Sequence, residues 1–244
     1  MPELFYLSIS FFFIAAIYSS AGFGGGSSYL AILSLSPMAF QDMRLTALIC
    51  NVIVVCSSVF LFNKHKYIKW PKVIPLIILS IPLAYLGGKM FLEERLFFLL
   101  LGFSLLLAAL AMIFDSKTHV VKIPKYGNAM IGGGIGFLSG MVGIGGGIFL
   151  SPLLHLSRWG KPKVIAATSA IFILVNSIAG IIGQAVANDF SFQMNELLIL
   201  MLAVFLGGQI GARMTILKFD HIWVKRVTAI VVLIVAIRLL LKYI

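Results

Sequence analysis

The residues with the clearest chemical potential are glycines. Residues 22–28 read GFGGGSS and residues 143–149 read GIGGGIF, each inside an apolar run. Glycine weakens a helix interior, so three in a row mark a break and not a span. A break deep in an apolar segment leaves main-chain N–H groups without water, which is tolerated only where the turn is buried in protein or lines a cavity. The helix that restarts after the break points its unpaired N–H groups and its positive dipole end at the turn. Glycine also lets a ligand approach the backbone closely. The chemistry implied is anion binding by main chain, the physics of phosphate at helix N-termini. Gly24, Gly25 and Gly26, with Gly145, Gly146 and Gly147, are the candidate main-chain donors. Ser27 and Ser28 add hydroxyls to the first run, where the second has Ile148 and Phe149, so a lopsided site is expected. Asn51 and Asn176 lie in the following apolar segments and would donate amide N–H groups to the same oxyanion. Thr46, Thr168 and Ser169 are weaker candidates.

Other chemistries lack their residues. No Asp or Glu falls near the middle of an apolar segment: Asp42, Asp189 and Glu196 sit at expected outer boundaries, Asp115 and Asp220 at inner ones. A buried carboxylate relay for protons is therefore not visible. His65, His119 and His221 fall in loops, and His155 reads as interfacial. Cys50 and Cys56 share one apolar segment, which reads as two free thiols and no metal site. Neither a phosphate-binding loop followed by Lys nor a serine nucleophile turn with a His partner is present. No enzyme activity and no cofactor are expected. The pairs Gly87–Gly88 and Gly207–Gly208 read as close helix packing, and Gln184 and Gln209 as structural.

The elements that must hold these residues are membrane helices. The chain has 244 residues, a mean hydropathy of +1.08 and only 11% charged residues, where a soluble domain carries about a quarter. Runs of about 20 apolar residues recur along it. The fold expected is an all-α polytopic membrane protein. Its net charge of +11 lies in short loops, where it sets orientation and gives no reason to expect nucleic acid. The start MPELFY lacks Lys and Arg, so the first apolar run is expected to stay in the protein. Expected spans are 45–62, 73–88, 96–114, 164–187, 195–212 and 222–241, with broken elements at 4–36 and 128–156 and one polar linker, 115–127.

The second half echoes the first. AGFGGG at 21–26 returns as VGIGGG at 142–147, LGG at 86–88 as LGG at 206–208, and Asn51 as Asn176, at offsets of 121, 120 and 125. This layout implies two repeats, 1–114 and 128–244, joined by the linker. Lys and Arg placement decides their relative orientation. With each broken element as a simple crossing, the two sides carry nine and ten basic residues. With each as a hairpin that enters and leaves on one side, the division is fourteen to five, a positive-inside pattern. Both termini then lie outside, and the repeats are inverted: each is a glycine-broken hairpin plus three transmembrane helices. Length agrees, since 4–36 and 128–156 as single helices would be about 50 and 44 Å long in a hydrocarbon core of about 30 Å.

Two halves that each open with G-[FI]-G-G-G resemble the TauE/SafE family, also called the toluene sulfonate uptake permease family. Gly22, Gly24, Gly25, Gly26, Ser27, Gly143, Gly145, Gly146 and Gly147 carry the resemblance, with both LGG pairs and Asn176. It covers essentially the whole chain. One departure is the first-half stretch MRLTALICN, where a GTS-like stretch would precede the Asn. The resemblance implies transport of small anions such as sulfite, sulfoacetate or thiosulfate across a bacterial inner membrane. The expected function is secondary transport of such a sulfur oxyanion. An inside-negative potential favours its export, and protons are one candidate coupling ion. A passive anion channel and a non-transport assembly module are the alternatives. The expected partners are the small anion and the lipid bilayer, and a homodimer is left open.

Overall fold

A computed structural model describes residues 2–34, 36, 38–90, 92–113, 127–187, 194–216 and 221–244. The protein is all helical among the described residues. Its helices are α1 (Pro2–Ser20), α2 (Gly26–Leu33), α3 (Phe40–Lys64), α4 (Trp70–Lys89), α5 (Glu94–Ile113), α6 (Gly127–Val142), α7 (Gly147–Leu156), α8 (Pro162–Ala187), α9 (Met194–Ile216) and α10 (His221–Tyr243). Apart from Gly127, the expected linker lies outside the described residues, as do Asp115, His119, Asp189 and Asp220.

The two expected breaks fall between α1 and α2 and between α6 and α7. Both are built on left-handed glycines: Gly22 and Gly25 in the first (φ +80° and +94°), Gly143, Gly145 and Gly146 in the second (φ +82°, +82° and +81°). Any side chain is strained in that conformation, whereas glycine adopts it freely. Gly25 and Gly146 are the N-caps of the short helices α2 and α7. Neither helix has an acidic residue in its first turn, so no carboxylate there neutralises its positive end.

The surface is apolar where a soluble protein would be charged. Ile78, Leu202, Leu206 and Leu241 are among the exposed large side chains. Four helices among the described residues are long and apolar enough to cross a membrane: Phe40–Lys64, Trp70–Lys89, Pro162–Ala187 and Met194–Met214. With no polar exterior to enforce burial, helices associate here through shape. Glycine supplies that shape. Gly132, Gly136 and Gly140 of α6 lie against the main chain of Leu76, Ser80 and Ala84 of α4, so the two helices run side by side in one direction. Gly207 and Gly211 of α9 meet Phe12 and Ala16 of α1 in the same way.

Further contacts fix more directions. Leu48 of α3 meets Gly180 of α8, while Phe62 packs with Ala166 and Ala170, so α3 and α8 cross antiparallel. Val73 of α4 packs with Ala166 and Ala170, and Gly88 lies against Gly180, so α4 and α8 run the same way. Gly102 of α5 meets Leu240 of α10 and Phe98 stacks on Tyr243, so this pair is also antiparallel. The packing repeats when the halves are exchanged: α1 with α9 matches α6 with α4, and α3 with α9 matches α8 with α4. At one end of the bundle, Lys72 donates to the Trp159 carbonyl (3.1 Å) and Lys163 lies over the Tyr67 ring. The loops after α3 and after α7 therefore share a face. Elsewhere, Arg95 at the start of α5 donates to the main-chain oxygens of Tyr243 and Ile244, at 3.1 and 3.0 Å.

Candidate functional site

The two glycine breaks meet inside the protein, and Asn51 joins them. Its Oδ1 accepts from the Gly26 N–H at the start of α2 (2.8 Å). Its Nδ2 donates to the carbonyl of Ile144 in the second break (2.8 Å). Asn51 is fully buried. Gly24 and Gly26 leave no room for a Cβ beside its amide, and a Cβ at Gly145 would lie 3.1 Å from Nδ2. Phe23 of the first break reaches across to Gly147 of the second, 3.6 Å from where a Cβ would stand. The donor that sequence alone aims at an anion is thus given to Ile144, and Asn51 acts as a clamp between the breaks.

Asn176 is placed differently. Its Nδ2 donates to Phe172 O within α8 (2.8 Å), and its Oδ1 is buried without a partner. The remaining candidates divide between committed and unpartnered groups. Ser28 shares a hydrogen bond with the Tyr18 hydroxyl (2.7 Å), and the Thr168 hydroxyl donates to Val164 O within α8 (2.8 Å). Ser27 and Thr46 are buried. Ser169 Oγ is buried and makes no hydrogen bond. The N–H groups of Gly24, Gly25, Gly145 and Gly146 make none among the described residues.

Three residues that sequence reasoning did not single out complete the second break. Ser177 Oγ lies 2.7 Å from a Cβ built on Gly145, and Ser139 Cβ lies 3.1 Å from one on Gly146; both hydroxyls are buried and unpartnered. The third is Arg44, whose stem packs on Gly143. The residue is 1% exposed; its guanidinium donates to Gly140 O at 3.3 Å and stands 5.7 Å from the Phe97 ring centroid. Nothing in the sequence around Ser139 and Ser177 marks them, because serines are common in membrane helices. Arg44 did carry a signal, in the departure at MRLTALICN.

The second break therefore gathers main-chain N–H groups and two hydroxyls, all short of partners. Buried polar groups are normally satisfied, so a cluster of unsatisfied donors is a place where a polar solute gains hydrogen bonds without breaking existing ones. Ile173 and Phe172 stand against Gly145, Gly147 and Gly146 and close the turn on one side. Among the described residues no group of His, Cys, Asp and Glu is placed to hold a metal ion.

A family model described as "Sulfite exporter TauE/SafE" matches residues 7–239. The chain belongs to the TauE/SafE family. It is 33% identical over 241 residues to a probable membrane transporter protein of Sinorhizobium fredii, covering 96% of this chain and 97% of that one. A probable membrane transporter protein of Methanocaldococcus jannaschii is 29% identical over 72% of this chain and 70% of its own. One from Bacillus subtilis is 26% identical over 80% and 82%. No solved structure matches. As a TauE/SafE member with an apolar, multi-helix exterior, the chain is a multi-pass membrane protein of a transporter family.

Proposed function

We propose that this TauE/SafE protein is a secondary transporter of small sulfur-containing oxyanions, such as sulfite, sulfoacetate or thiosulfate, working as an exporter in a bacterial inner membrane. The observation that carries the proposal is the junction of the two glycine breaks, with unpartnered N–H and hydroxyl groups gathered at the second. A sulfonate or sulfite group is compact and has three oxygens, which suits several converging donors. Gly145, Gly146, Gly147, Ser139 and Ser177 are its proposed binding groups; the Asn176 amide N–H is given to Phe172 O and its free oxygen only accepts, so Asn176 is not among them. Gly24, Gly25, Gly26, Ser27 and Ser28 form the opposing wall, held in register by Asn51. Phe172 and Ile173 are the side chains that must move for a solute to enter.

Inverted repeats are part of the same proposal. They are supported by the antiparallel pairs α3–α8 and α5–α10, and by the shared face of the loops after α3 and α7. In an inverted pair the two breaks approach the midplane from opposite sides, and alternating access becomes rocking of one repeat against the other around a fixed site.

The test is a melting-temperature screen of the purified protein against sulfite, thiosulfate, sulfoacetate, taurine, sulfate and chloride, followed by flux assays in proteoliposomes. Stabilisation by one or more sulfur oxyanions, with saturable flux and counterflow, is the expected result. Flux without saturation would mean a channel. No response to any anion, in binding or in flux, overturns the proposal.

A further inference from the structure

Arg44 has a burial that its structural partners do not explain. It sits one turn into α3, among the largest fully buried side chains of the protein. Its Nε has no partner, its one hydrogen bond is long (3.3 Å, to Gly140 O), and the nearest ring is 5.7 Å away. Among the described residues no carboxylate lies within ion-pair distance of it. Asp42, two residues earlier, points to another side of the helix, because positions i and i+2 do not face each other. A guanidinium carries five N–H donors and a charge that persists at any physiological pH. Burying such a group without a counter-charge is costly, and in membrane segments such residues mark ion pathways.

Geometry says what the charge faces. Arg44 and Asn51 are seven residues apart, close to two helical turns, so they share one face of α3 at a separation of about 10 Å. Asn51 holds Ile144 and Arg44 lies on Gly143, so both touch the same glycine break. The missing side chain at Gly143 is what lets the arginine stem rest there, with its Cβ 3.2 Å from where a Gly143 Cβ would be. At the offset that relates Asn51 to Asn176, Arg44 corresponds to Ser169, a buried hydroxyl without a partner. One repeat thus brings a cation to the place where the other brings a neutral donor.

We infer that Arg44 is the charge-selecting residue of this transporter: its guanidinium pairs with the oxyanion on the outward-facing half of the path, beside Gly140 and Gly143. The inference rests on the transport function proposed above. The planar fork matches two oxygens of a sulfite, sulfonate or thiosulfate group. The bound anion supplies the counter-charge that no described residue gives, and a neutral solute brings none.

The test is a thiosulfate and sulfite titration, read as melting temperature at constant ionic strength, on the wild type and on Arg44→Met and Arg44→Lys. Arg44→Met should weaken anion binding at least tenfold while the ligand-free protein melts no lower than the wild type, since an uncompensated buried charge has been replaced by an apolar chain. Arg44→Lys should keep the charge, lose the fork and bind several-fold more weakly. A Met variant that binds both anions as the wild type does overturns the role of Arg44 while leaving the transport function standing. If that variant fails to fold, Arg44→Lys decides, and unchanged affinity overturns the role. A wild type unmoved by both anions and by the rest of the screen removes the transport function and this inference together.

Discussion

Asn51 is the residue on which the two breaks depend. It is one amide with two buried partners on different elements, Gly26 N–H and Ile144 O. Asn51→Ala leaves both without a partner, and each orphaned group costs roughly 1–3 kcal/mol. The variant should melt several degrees lower in detergent and lose transport. Asn51→Asp keeps the acceptor for Gly26 and opposes a carboxylate to the Ile144 carbonyl, so it should fare no better. The serines of the second break should behave in the opposite way. Ser177→Ala and Ser139→Ala remove hydroxyls that have no partner in the protein, so the ligand-free melting temperature should hold or rise. Anion affinity should fall about three- to tenfold for each lost hydrogen bond, at about 1 kcal/mol apiece. A drop in stability with unchanged affinity would assign them to packing.

At the scale of helices, glycine places the breaks by letting neighbours touch through their backbones. Gly140 has the Ala84 carbonyl where a Cβ would be, whereas Gly134, on the same helix, has nothing within 4 Å. Gly140→Val should therefore separate α4 from α6 and sharply reduce the yield of folded protein. Gly134→Ala should be tolerated or mildly stabilising, because alanine is the better helix former by up to about 1 kcal/mol. Size-exclusion profiles and melting temperatures of the two variants check this pair. The proposed hairpin arrangement of α6 and α7 makes a separate prediction. The loops holding Lys66 and Arg158 lie on one face through the Lys72–Trp159 and Lys163–Tyr67 contacts. Lys66→Cys and Arg158→Cys should thus both react with an impermeant thiol reagent from the cytoplasmic side only. Labelling from opposite sides would break the inverted arrangement.

For the molecule as a whole, the proposed direction follows from charge and potential. A monovalent anion leaving an inside-negative compartment gains about 2.3 kcal/mol per 100 mV, roughly a fifty-fold concentration ratio at equilibrium. Proteoliposomes loaded with a sulfur oxyanion should release it faster when a potassium diffusion potential makes the lumen negative, and slower when the sign is reversed. Equal rates under both signs would mean electroneutral movement, with protons as the first coupling ion to test.

Much of this protein was legible in the amino-acid order because its cause is local. A triplet of glycines breaks a helix wherever it falls, so both breaks stand where GFGG and GIGG predict, with left-handed Gly25 and Gly146 as helix caps. Apolar runs likewise act through the bilayer, a solvent whose thickness is known beforehand. Packing at the glycine pairs was also readable, since a residue without a side chain in an exposed-looking helix invites a neighbour: Gly88 lies on Gly180 and Gly207 on Phe12. The partners of individual polar atoms were not readable. Nothing near Asn51 in the chain says that its amide turns to Ile144, 93 residues on, or that Asn176, its counterpart, turns back on its own helix. Hydrogen bonding inside a membrane protein is settled by which backbones come within 3 Å of each other, and that depends on the joint packing of all the helices. The same packing, and not the local sequence, buried Arg44 against the second glycine break.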